Sequence, residues 1–190
     1  MSSPEAGPPS PPATDTDRRS AVLDSALATF ARFGYRKSSM EEVARAARIS
    51  RPGLYFLFSS KQDLFRAAAA QALERDIAAA ERALADAGRP LPERLVEAFD
   101  HWAGRYVGPL ARDVAAVIED NPDLLGEIAR TAPRRFEELI TDAIAAGSGR
   151  EKAAAVAQTL ISASTGLKHQ AATRESYLER LGVAVQLLVP

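Results

Sequence analysis

Between Gly34 and Phe65 the chain gathers hydroxyls and cations at spacings suited to a polyanion: Ser38-Ser39, Arg48, Ser50-Arg51-Pro52-Gly53, Tyr55 and Lys61. Ser38 and Ser39 open a helical pattern, where backbone N–H groups without helical acceptors, together with hydroxyls, suit a phosphate. Arg51 leads a second short pattern, and its planar guanidinium can meet guanine O6 and N7 side by side. Pro52 can lie on a thymine methyl, and Gly53 lets a helix backbone approach closely. Arg48, between the two patterns, offers a cation for another phosphate. Together these residues point to contact with the backbone and base edges of duplex DNA. Each one alone is equally an ordinary helix cap or a solvated charge.

Two helices and a tight turn must hold them. Ser38 and Ser39 stand three residues before Glu41 and Glu42, the spacing of a capping box. Met40, Val43, Ala44 and Ala47 follow at i, i+3, i+4, i+7, one face of a helix. Arg48-Ile49-Ser50 breaks the pattern, and Ser50 can cap a helix carrying Leu54 and Phe58 on one side. A pair of this kind is a helix-turn-helix, whose second helix enters the major groove. Met40, Val43, Ala44, Leu54 and Phe58 read as the core that sets its angle.

The segment resembles the tetracycline-repressor family of bacterial transcriptional regulators. The resemblance rests on Phe30, Phe33-Gly34-Tyr35, Ser38-Ser39-Met40, Val43-Ala44, Ala47, Ile49-Ser50, Gly53-Leu54-Tyr55, Phe58, Lys61 and Leu64-Phe65. It covers roughly residues 18–65; beyond that the chain matches only in length and helical pattern. The resemblance implies that Lys61 and the Tyr55 hydroxyl contact phosphates. It also implies an effector pocket enclosed by the later helices and a homodimer built from the last two. The chain departs from the family pattern at three positions: Arg48 where glycine is usual, Leu57 where a phosphate-contacting histidine is common, and Pro52 within the recognition helix.

Charge follows the same division. Between Arg18 and Arg75, 11 Lys/Arg face 5 Asp/Glu, a net of +6, whereas residues 76–190 carry −4 and residues 1–17 carry −3. A basic segment beside a mildly acidic one suits a polyanionic partner, because counterion release drives phosphate contact. The chain has no cysteine, which removes disulfides, thiolate metal sites and cysteine nucleophiles and is compatible with the cytoplasm, its expected location. No apolar run approaches the ~20 residues that span a bilayer, so no membrane association is expected. Neither a metal nor another cofactor is expected.

The pattern elsewhere is all-α, about nine helices. Residues 1–14, with five prolines, read as a disordered tail. Asp15-Thr16-Asp17 can cap a first helix carrying Val22, Leu23, Ala26, Leu27, Phe30 and Phe33, ended by Gly34. Ser59 and Ser60 cap a long helix running to about Ala87, stopped by Gly88 and Pro90. The spacing predicts a helix from Leu91 to Val107, a short one reaching Glu119, one from Asn121-Pro122 to about Ala146 with a possible kink at Pro133, and two final helices at about 150–169 and 174–189. The reader is expected at 15–65, and an effector-binding and dimerisation domain at 66–190.

Within that second domain Phe99, Trp102 and Tyr106 share a stripe, with His101 about 100° round the helix from Trp102. They read either as a small-molecule pocket, with His101 or His169 as polar anchors, or as ordinary core. Ala153, Val156, Ala157, Leu160, Ile161 and Ser164, with Leu178, Leu181, Val185 and Leu188, likewise read as a dimer face or as the monomer's own core. An enzyme is the poorer reading. The two histidines are 68 residues apart, and no HExxH, GxSxG or glycine-rich phosphate loop is present. A helical scaffold that does not bind DNA is the other rival class.

Overall fold

The computed structural model describes residues 15–107, 124–147 and 149–189. Among these residues it is all-helical, with α1 (Asp15–Phe33), α2 (Met40–Ala46), α3 (Arg51–Leu57), α4 (Lys61–Ala85), α5 (Leu91–Trp102), a 3₁₀ turn (Gly104–Tyr106), α6 (Ile128–Ala145), α7 (Arg150–Gln170) and α8 (Arg174–Leu188). The tail at 1–14, the short helix before Glu119 and the cap at Asn121-Pro122 lie outside the described residues. No described helix is long and apolar enough to cross a membrane.

Local hydrogen bonding explains the helix starts. Ser39 caps α2 and forms the capping box with Glu42; Ser50 caps α3 by accepting the Gly53 N–H, and Ser60 caps α4 by accepting that of Asp63. Gly34, at φ +80°, ends α1, and its N–H reaches the Phe30 carbonyl. Pro52 stands in the first turn of α3, where its missing N–H leaves no helical bond unmade.

The turn between α2 and α3 closes as a Schellman motif: Ile49 N–H reaches the Ala44 carbonyl and Arg48 N–H the Arg45 carbonyl. Arg48 occupies the left-handed position, at φ 56°, the one described non-glycine residue with positive φ. A Cβ there is strained. Arg48→Gly is expected to raise the unfolding free energy by about 1 kcal/mol while deleting one exposed cation. Denaturant midpoints at unchanged m-value check this; an unchanged or lower midpoint would contradict it.

The helices enclose two apolar cores, with α4 contributing to both. Val22, Leu23, Ala26 and Phe30 of α1 pack with Met40, Val43, Ala44, Leu54 and Phe58 against Leu64, Phe65, Ala68 and Ala69 of α4. Phe30, Tyr35 and Phe65 meet at tilted or edge-on ring contacts of 5.0–5.6 Å. Farther along α4, Ala80 and Leu84 join Leu95, Ala98, Phe99, Phe136, Ile140, Ile144, Leu160, Tyr177, Leu181 and Val185 in the second core.

Three sequence expectations change, and a fourth that stood open between two readings is decided for six residues. Phe33 is 46% exposed rather than part of the α1 core face, with the Arg32 guanidinium 5.0 Å from its ring. The helix from Leu91 ends at Trp102, not Val107, and gives way to the 3₁₀ turn from Gly104, where a Cβ would fall 2.4 Å from Asp100 Oδ1 and 3.1 Å from the Tyr177 ring. The helix expected from Asn121-Pro122 begins only at Ile128, because residues 125–127 form a turn with Gly126 at φ +61°. Ala153, Ala157, Leu160, Ser164, Leu181 and Val185 are buried in the monomer's own core. The faces of α7 and α8 that remain open carry other residues.

Candidate nucleic-acid interface and effector cavity

One side of α3 is spent on packing and the other is open. Leu54 and Phe58 are fully buried; Arg51, Pro52, Tyr55 and Phe56 are exposed and form two i, i+4 pairs. The Arg51 guanidinium lies 5.7 Å from the Tyr55 ring centroid, so the charge is held against the helix yet left accessible. Phe56, 90% exposed, is the most solvent-accessible large apolar residue described. Its i+4 relation to Pro52 places it on the open face, a signal present in the sequence although Phe56 is absent from the residues singled out there.

The residues before α2 divide. Ser38 is buried, and its hydroxyl donates to the Gly34 carbonyl at 2.8 Å, tightening the α1–α2 turn from within. Ser39 is exposed, but its N–H (2.7 Å) and its hydroxyl (2.9 Å) both donate to Glu42 Oε2. The Ser39 N–H, then its hydroxyl, hold the Glu42 carboxyl below the usual carboxylate range, with Arg45 and Lys61 adding to the effect. The N–H groups of the first α2 turn, at Met40 and Glu41, have no helical acceptor.

Lys61 is tied to the same turn. Its Nζ donates to the carbonyls of Tyr35 (2.9 Å) and Ser38 (3.0 Å) and lies 4.5 Å from the Tyr35 ring centroid. Two of its three donors are therefore used inside the protein. At the far end of α3, Arg19 stacks 4.3 Å from the Phe58 ring centroid and donates to the Leu57 carbonyl. A cation thus sits at the helix C-terminus, where the dipole favours it. Nothing in the local sequence of α3 marks Arg19, 38 residues away.

A cavity of about 380 Å³ opens beneath this module. Its walls are Leu27 of α1; Ala69, Ala72 and Leu73 of α4; Phe99 and Trp102 of α5; Ala103 and Tyr106; Leu125, Ile128, Ala129 and Pro133; and Ile161, Ser164, Thr165, Lys168 and His169 of α7. The size falls within the range of small-molecule sites, roughly 300–1,000 Å³. Trp102 is stacked on Phe136 with centroids 4.7 Å apart and planes 10° apart, and Phe99 meets Phe136 edge-on. Phe99, Trp102, Tyr106 and His169 are brought together here. His101 is not: it faces Glu97 at 3.8 Å and lines a separate polar depression with Arg75, Arg82, Asp100, Arg105 and Arg174. The 100° between His101 and Trp102 on α5 carries the two to different surfaces.

Tyr106 also closes a polar latch. Its hydroxyl donates to Asp76 of α4, whose other carboxylate oxygen accepts from Arg105 at 2.6 Å. The Asp76 side chain is 1% exposed, and burial pushes its pKa up against the opposing pull of Tyr106 and Arg105. Burial, reinforced by Asp76, raises Tyr106 well above an ordinary phenol. Deeper in, Ser164 and Tyr177 share a 2.8 Å hydrogen bond, and burial pushes the Tyr177 phenol up to about 12.

A helix-turn-helix with one open face on its second helix, set on helices that wall an apolar cavity, has the architecture of a DNA-binding transcriptional regulator. Residues 22–68 match the model of the tetR family of bacterial regulatory proteins, and over that segment the chain is similar to that family. Among characterised proteins, it is 26% identical over 142 residues to the nicotine-responsive transcriptional repressor HdnoR of Paenarthrobacter nicotinovorans, covering 72% of each chain. It is 35% identical over 57 residues to the regulator RutR of Escherichia coli strain K12, which spans 30% of this chain and 27% of RutR. The fold matches reduced NemR of E. coli (TM-score 0.73, 18% identity, 92% of this chain and 98% of the other). It also matches a TetR transcriptional regulator from Legionella pneumophila (TM-score 0.68, 20% identity, 94% and 98%).

Proposed function

We propose that the chain is a cytoplasmic repressor that binds an inverted-repeat operator as a homodimer and releases it when a small apolar or aromatic effector enters beside Trp102. In this reading Arg51, Pro52 and Phe56 meet base edges; Ser39, Arg48, Tyr55 and Lys61 position the backbone, with Ser50 and Gly53 shaping α3. Ser38 supports from inside. The homodimer reading draws on the open faces of α7 and α8. Val183 (57% exposed) and Leu187 (79%) border a shallow groove with Ala163, Gly166, Leu167 and Ala184, and Gly166 has nothing near where a Cβ would stand. Small residues beside exposed apolar ones suit close helix pairing with a second copy. A repressor among the relatives, HdnoR, supports the direction of regulation.

The observation that carries the effector reading is the cavity's shared wall. Leu27, Ala69 and Leu125 belong to or pack on the reader's core, while Phe99, Trp102 and Ile161 belong to the other domain. Arg66 of α4 donates to the Leu124 carbonyl, fastening the turn before α6 to the reader as well. A ligand that fits better when these walls part favours the arrangement with less DNA affinity, whereas equal fit to both would shift nothing.

The test begins with duplexes selected from a random pool, then a ligand screen for release. Trp102 is the only tryptophan, so its fluorescence reports on the cavity without ambiguity. Trp102→Ala is expected to bind the selected duplex as the parent does, with the effector concentration for half-release raised at least tenfold. Equal release from Trp102→Ala, with parent fluorescence unchanged by the ligand, would place the effector elsewhere.

A further inference from the structure

Resting on that reading of the cavity, we infer that its occupant is an organic acid: an apolar, preferably aromatic body with one carboxylate directed at Lys168. The walls supply the apolar part of the recognition; the polar rim decides the charge. Among the described residues that rim lies on α7 and Tyr106, and its titratable groups are Lys168, His169 and Tyr106. No aspartate or glutamate is among the described residues that line the cavity. The buried carboxylate of Asp76 lies behind Tyr106 and is held by that hydroxyl and by Arg105, so it offers an entering cation nothing.

The hydroxyls at the rim already donate inward. Thr165 donates to the Ile161 carbonyl at 3.0 Å, Tyr106 donates to Asp76, and Ser164 shares its bond with Tyr177. The nitrogen donors at the rim, among the described residues, are the Lys168 ammonium, 5.8 Å from the Tyr106 ring centroid, and the imidazole of His169. Lys168 is engaged with the protein too, so a carboxylate shares an ammonium with three N–H groups rather than filling a vacant one. Lys168 is half-buried and His169 exposed at the rim, and a charge-assisted bond there is stronger than a neutral one to the same atom. An amine would meet like charge at the same rim.

Isothermal titration of the full chain at pH 7 with 2-naphthoate, 2-naphthamide and 2-naphthylmethylamine, which share a bicyclic body, tests the charge. The acid is expected to bind at least tenfold tighter than the amide, and the amine weakest. Lys168→Met should abolish the gap between acid and amide by weakening the acid alone, and Lys168→Arg should retain it. An amide or amine binding as tightly as the acid, or Lys168→Met weakening acid and amide alike, would overturn the inference. Absence of binding by all three would overturn it as well, while release of the selected duplex by another compound would keep the regulator reading. Acid binding that leaves the duplex bound would uphold the ligand class and refute the coupling to DNA.

Discussion

Replacing Val183 and Leu187 together by glutamate is expected to leave the chain folded, separate the proposed dimer and weaken binding to an inverted-repeat duplex by about 100-fold or more. Both side chains are among the most exposed apolar residues described, while Leu181 and Val185 on the inward face of α8 are fully buried. The substitutions therefore spare the core and place two charges where a partner helix would exclude water, a cost of several kcal/mol if the interface forms. The weaker hold on DNA comes from geometry. Two linked recognition helices about 34–36 Å apart engage two half-sites with a high effective concentration, and separate protomers do not. Sedimentation equilibrium at micromolar concentration, beside gel shifts on full and half-sites, reads both effects. A parent protein that is already monomeric and binds one half-site without cooperativity would defeat the dimer proposal.

Arg51→Ala is expected to relax base preference at one position in each half-site, at about 1–3 kcal/mol per half-site and roughly twice that for a symmetric operator. The guanidinium stands on the open face of α3 beside Tyr55 and makes no contact that the fold requires, so stability should hardly change. Lys61→Ala makes the contrast. It should weaken all sequences alike and lower the salt slope by about 0.9 for each phosphate that the ammonium no longer neutralises. It should also destabilise the reader, because two carbonyls of the α1–α2 turn are left without their donor. Selection from a random pool with each variant separates the two. An unchanged preferred sequence for Arg51→Ala would remove Arg51 from base readout.

What the sequence alone determined is the part of this protein governed by residues three or four apart. The capping serines at 39, 50 and 60, the glycine that ends α1 and the apolar stripe of α2 and α3 each make a hydrogen bond or a face within one or two helical turns. Their types therefore specify their geometry wherever they occur. The recognition helix was legible for that reason, and the closed Schellman turn stands even with Arg48 in place of a glycine.

Only the tertiary structure decided which faces are covered and by what. Just past the end of α5 the backbone at Gly104 passes close to the Tyr177 ring, 73 residues on, where a Cβ would crowd it. The small-residue stripe of α7 turns inward into the core that Phe99 and Phe136 also occupy. Ser38 and Lys61 look alike available in the sequence; the carbonyls of Gly34, Tyr35 and Ser38 claim the hydroxyl of one and the ammonium of the other. Trp102 and His101 are adjacent residues that end on different surfaces, one stacked on Phe136 in the cavity and the other beside Glu97. Periodicity tells which residues share a face, but burial is a property of pairs distant in the chain, and those pairs are fixed only when the helices pack.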